Sequence, residues 1–132
     1  MPLQVELVSP ERILWSGEAE RVITRTAGGG GEIAFLTGHA PFVGALDIGV
    51  TRVLPAEGGE ELAVAVHGGF VEVSDDKVSI LSDVAELGDQ IDVNRAVAAR
   101  ERAEEALRHE HNAEVEAALN RAQARLAAAH RN

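Results

Sequence analysis

Between residues 3 and 82 the apolar and polar positions trade places every few residues, and no stretch holds a helical period. Residues 3–8 (Leu-Gln-Val-Glu-Leu-Val) alternate, the pattern of a strand with one face in a core. Further β-rich runs fall at residues 12–15, 20–26, 32–36, 42–46, 48–54, 62–67, 70–73 and 77–81. Turn-forming residues punctuate them: Ser9-Pro10-Glu11, the four glycines at 28–31, Gly58-Gly59, Gly68-Gly69 and Asp75-Asp76. Many short strands at this spacing predict an N-terminal antiparallel β-sandwich.

Beyond Leu87-Gly88-Asp89 the period changes. Residues 92–129 contain no proline or glycine, and alanine fills 13 of the last 42 positions. Asp92 is placed to cap a first helix, on which Ala96, Ala99, Ala103 and Ala106 recur at helical spacing. The polar run His109-Glu110-His111-Asn112 breaks that stripe, and Asn112 is a cap for a second helix carrying Val115, Leu119, Ala122, Leu126 and Ala129. Two stripes and a short connector predict a C-terminal antiparallel αα-hairpin. Its alanine seam allows close approach but buries little area, and at about 25 cal/mol per Å² such a seam is weak. The chain thus divides into a β-sandwich unit at residues 1–87 and a helical hairpin at residues 88–132.

Charge sharpens that division. The formal charge of −10 lies wholly in residues 1–90, with 15 acidic and 5 basic residues, whereas residues 91–132 balance at 7 of each. An acidic sandwich argues against nucleic acid or an anionic membrane surface as its direct partner. No apolar run has the roughly 18 residues of a membrane span, and the N-terminus reads as no secretory signal. The absence of cysteine removes disulfides and thiolate chemistry. A cytoplasmic address and no direct membrane insertion are the expectations.

Motifs of catalysis are sparse. The glycines at 28–31 are followed by Glu32, and Lys77 is the only lysine, so the lysine and hydroxyl of a phosphate loop are missing. His109 and His111 face different sides of a helix and have no evident third metal ligand beyond Glu110. Paired carboxylates at Glu60-Glu61 and Asp75-Asp76 fall in turns. The arginines of the hairpin carry more information. Arg121 and Arg125 lie four apart with no acidic residue three or four positions away, and Arg95 and Arg102 lie two turns apart on the first helix. Converging guanidiniums suit phosphate; basic residues near a helix end are equally favoured by its dipole.

Four stretches in register resemble the epsilon family of F-type ATP synthases. They are Gly31-Glu32-Ile33-Ala34-Phe35-Leu36-Thr37-Gly38-His39-Ala40-Pro41-Phe42, Ala65-Val66-His67-Gly68-Gly69-Phe70-Val71-Glu72-Val73 with the run at 77–83, Ile91-Asp92-Val93-Asn94-Arg95-Ala96, and the run at 118–126. Ala34 and Thr37 replace the family's commoner glycine and proline. The resemblance implies a non-catalytic rotor subunit that binds the gamma subunit, rests on the membrane c-ring and meets the alpha/beta catalytic head when its hairpin extends. It places the chain peripherally at the cytoplasmic face of a bacterial membrane. It implies c-ring or gamma contacts at Glu32, His39 and Phe42. It also implies a regulatory ATP site at Glu86, Asp92, Arg95, Ala96, Arg102, Arg121 and Arg125, with no cofactor required. The competing reading is a stand-alone interaction or ligand-binding sandwich, weakened by an aromatic set of only Trp15, Phe35, Phe42 and Phe70.

Overall fold

The computed structural model describes residues 2–130. Met1, Arg131 and Asn132, the outer ends of the two expected units, lie outside the described residues. Seven strands come first: β1 (Leu3–Val8), β2 (Ile13–Thr26), β3 (Gly31–Leu36), β4 (Phe42–Pro55), β5 (Leu62–Ser74), β6 (Lys77–Leu81) and β7 (Ala85–Leu87). A single 3-10 turn at Gly88–Gln90 then leads to α1 (Val93–Leu107) and α2 (Ala113–His130).

The sheet runs β1-β6-β5-β4-β2-β3, and an added β1–β2 ladder closes it into a flattened barrel. All pairings are antiparallel except one: β1 runs parallel to β6, which local alternation does not disclose. Inside lie the inward residues of the strands, among them Leu3, Val5, Phe35, Val64, Val66 and Ile80, all at or near zero exposure. The buried hydroxyls of Thr24 and Thr51 satisfy each other at 2.8 Å.

Two runs expected as separate strands, at 62–67 and 70–73, form one continuous β5. Gly68 and Gly69 sit inside it at φ of 88° and 126°, a left-handed region open to glycine. The ladder with β4 keeps a single register across them, from Leu46–Gly69 to Ile48–His67, while on its other edge β5 changes partner there, from β6 at Phe70–Ser74 to β7 at Val64–Val66. The expected breaks in β2 and β4 are likewise absent. Asp75 and Asp76, both at positive φ, make the tight β5–β6 turn as the sequence indicates.

The helices begin where capping chemistry puts them. Asp92 accepts the Arg95 amide at 3.1 Å, and Asn112 accepts that of Val115 at 2.9 Å. The hairpin folds back on the sandwich through α2, which packs on β4 and β5. Strand β5 is therefore buried on both faces, with Val64 and Val66 inward and Ala63 and Ala65 outward. The outward pair joins Ile91, Ala96, Ala124, Leu126 and Ala128 in a second, smaller core.

Candidate anion site where the hairpin meets the sandwich

A polar cavity of about 390 Å³ opens where β7, the 3-10 turn and both helices converge. Its size lies within the roughly 300–1,000 Å³ usual for small-molecule sites. Glu86 comes from β7, Gln90 and Ile91 from the turn region, Asp92 from the α1 cap, Arg95, Ala96, Ala99 and Arg102 from α1, and Arg125 from α2. Arg95 and Arg102, seven apart, share one side of α1, as their spacing requires.

Six of the seven residues singled out for ATP thus line one cavity: Glu86, Asp92, Arg95, Ala96, Arg102 and Arg125. The seventh, Arg121, lines an adjoining groove of about 320 Å³ between the helices, which shares Ala99, Arg102 and Arg125 with the cavity. Arg121 also has a partner that inspection at three and four positions misses. Glu114, seven residues back, accepts its Nη2 at 3.1 Å.

The charges are unevenly paired. Arg125 donates Nε to Glu86 Oε1 at 2.6 Å, tying α2 to β7. The same oxygen lies 3.2 Å from His67 Nε2, so one carboxylate joins β5, β7 and α2. Burial alone would raise the Glu86 pKa. The hydrogen bonds from Arg125 and His67 outweigh it and hold the carboxyl below its ordinary value, so Glu86 is ionised at neutral pH. His67 is lowered, first by burial of a side chain only 3% exposed. By contrast, neither Arg95 nor Arg102 has an ion-pair partner among the described residues. Two uncommitted guanidiniums facing a polar cavity can bind an anion.

Among the lining residues, sequence spacing missed Gln90, Ile91 and Ala99, and behind them it missed His67. The first three follow from neighbours already singled out, but the 19-residue separation of His67 from Glu86 leaves no local signal.

The residues expected at a protein interface are dispersed. His39 and Phe42 join buried Phe35 in an aromatic cluster, with His39 edge-on to Phe35 at 4.8 Å and Phe42 tilted against it at 5.6 Å. Their loop is fixed by the Asp76 carboxylate, which accepts the Gly38 amide at 2.7 Å. Glu32 stands at the other end of β3, exposed and 3.4 Å from Arg52. Among the described residues, no helix is long and apolar enough to cross a membrane.

A closed β-barrel-like sandwich carrying a C-terminal helical hairpin, with an arginine-lined cavity at their junction, defines the architecture. Residues 2–88 match the family model of the ATP synthase delta/epsilon chain β-sandwich domain, and residues 89–130 match that of its long α-helix domain. The chain is 50% identical over 130 residues to the ATP synthase epsilon chain of Thermobifida fusca, covering 96% of this chain and 91% of that one. It is 46% identical over 128 residues to that of Desulfitobacterium hafniense, covering 95% and 94%. In three dimensions it resembles a chain of the Euglena gracilis mitochondrial ATP synthase, with a TM-score of 0.82 and 24% identity over 96% of this chain and 81% of the other. The chain belongs to the ATP synthase delta/epsilon chain family. It is a non-catalytic subunit of that complex.

Proposed function

We propose that this chain is a central-stalk rotor subunit whose C-terminal hairpin senses ATP. The family membership supports the first half, as does the likeness to a chain from an assembly containing F1 and a c-ring in a rotational state. In this reading the sandwich binds the gamma subunit and rests on the c-ring, peripheral to the cytoplasmic face of the membrane. Glu32, His39 and Phe42 would be contact residues there; exposed Leu36 and Val43, next in sequence to the loop of His39 and to Phe42, add apolar area.

The second half rests on one observation: Arg95 and Arg102 face a shared cavity without carboxylate partners among the described residues, beside an Arg125 that Glu86 holds in place. The folded hairpin creates this cavity, because α2 supplies Arg125 and α1 supplies the other two. A triphosphate bound there favours the folded form by RT ln(1 + [L]/Kd), about 2.7 kcal/mol at a hundredfold excess over Kd. When ATP falls, the weak alanine seam releases the hairpin, which extends into the alpha/beta head and inhibits hydrolysis. No cofactor is needed for the sandwich to fold or to bind its partners.

Calorimetric titration of the full chain with ATP tests the sensor. Arg95→Ala and Arg102→Ala should each weaken binding at least about tenfold, since a hydrogen bond to a charged group contributes about 1.5–3 kcal/mol. Thermal unfolding of the sandwich should not change. A wild-type chain that binds no ATP at millimolar concentration refutes the sensor.

A further inference from the structure

His67 lies behind the cavity wall, on β5, in contact with a residue that lines the cavity but not itself lining it. Its side chain is 3% exposed, and its Nδ1 is buried without a hydrogen-bond partner among the described residues. The contact with Glu86 fixes the tautomer. An ionised carboxylate only accepts, so Nε2 must carry the proton and donate to Glu86. Nδ1 is then a bare lone pair, which costs less to bury than an unsatisfied N–H.

The same Glu86 oxygen accepts Arg125 Nε. Holding the arginine by Nε leaves its two terminal nitrogens without a protein partner among the described residues, on a residue that lines the cavity. A fork held at its stem is ready to grip a phosphate. We propose that His67 is a positioning residue for the anion site: its Nε2–H anchors Glu86, which clamps Arg125 by Nε and presents the free edge of the guanidinium to a bound phosphate. The sandwich would thereby contribute to a site otherwise formed by the hairpin and β7. This inference rests on the ATP reading of the cavity.

Full-length His67→Ala and His67→Gln test it, with His67→Leu as a second donor-free variant that fills the site should the alanine chain fail to fold. Glutamine keeps a donor near the Nε2 position. Donor-free variants should bind ATP roughly five- to tenfold more weakly, while His67→Gln stays within about twofold of wild type. In an Arg125→Ala background the donor-free substitutions should have no further effect. Equal affinity for the donor-free and wild-type chains, or full additivity with Arg125→Ala, overturns the proposal. A ligand-free readout separates it from the ATP reading: the Arg125 Nε–H resonance should exchange slowly in wild type and His67→Gln and quickly in the donor-free variants. If wild type binds no ATP, the sensor fails, and this resonance alone decides the clamp. Slow exchange retained without the donor overturns it.

Discussion

Gly69 shows how one backbone position can govern the course of a strand. At φ 126°, a Cβ added there would meet the Leu81 carbonyl oxygen at 2.1 Å, a contact with rigid backbone. Gly29, at φ 79° in the β2–β3 turn, has nothing within 4 Å. Both glycines have positive φ, but Gly69 lies further from the left-handed minimum and alone faces a backbone collision, so its substitution should cost more. Gly29→Ala should cost about 1–2 kcal/mol, the left-handed penalty alone. Gly69→Ala adds displacement of β6 and should cost about 3 kcal/mol or more, among the larger single-residue effects. Equal losses in urea unfolding would mean that β6 yields freely at Leu81. The sequence presents both positions as the same thing, glycine in a glycine-rich break. The distinction depends on a strand that arrives from another part of the chain. Arg121 teaches the same lesson, since its Glu114 partner lies two helical turns away, beyond the spacings ordinarily inspected.

At the scale of elements, alternation and capping residues located the strands through β6 and both helix starts, but they split β2, β4 and β5 in two and missed the short β7. They did not reveal that β1 lies parallel to β6, or that α2 rather than α1 packs on the sheet, because both depend on long-range packing. The tie between β5, β7 and α2 was equally hidden, with Arg125 39 residues from Glu86. That tie predicts a pH dependence. The folded chain holds His67 below its ordinary pKa of 6.5, by burial first and then by the charge of Arg125, with Arg121 adding less, against opposing contributions from Glu86. The unfolded chain therefore takes up a proton first as pH falls through 6.5, and stability drops. Glu86, held below 4.5, adds a second loss as pH falls below that value. Thermal unfolding across this range should show stability that is full above 6.5 and declines in two stages. His67→Gln should abolish the upper stage and leave the lower. A midpoint that is flat from 6.5 to 4.5 contradicts the tie.

For the molecule as a whole, the difference between its two cores matters most. The larger core is closed by residues between Leu3 and Ile80, with side chains from all the long strands. The smaller core, under α2, is mostly alanine, and its largest members are Ile91 and Leu126. Burying those two contributes about 1.5–3 kcal/mol each, and ordering more than 30 helical residues opposes the gain. The hairpin should therefore detach without unfolding the sandwich, as extension demands. We expect a chain ended after Asp89 to remain folded. It keeps β7, which pairs with β5 through Val64–Leu87 and Val66–Ala85, and so keeps that edge covered. It loses the cover over Ala63 and Ala65 and the Arg125 partner of Glu86, so its unfolding midpoint should fall by several degrees. The transition should stay cooperative, with the near-ultraviolet signal of Trp15, which packs against the larger core, lost together with the far-ultraviolet strand signal. A broad transition in which those two signals separate would show that the helices belong to the sandwich core. The hairpin could not then extend while the rest of the molecule held its partners.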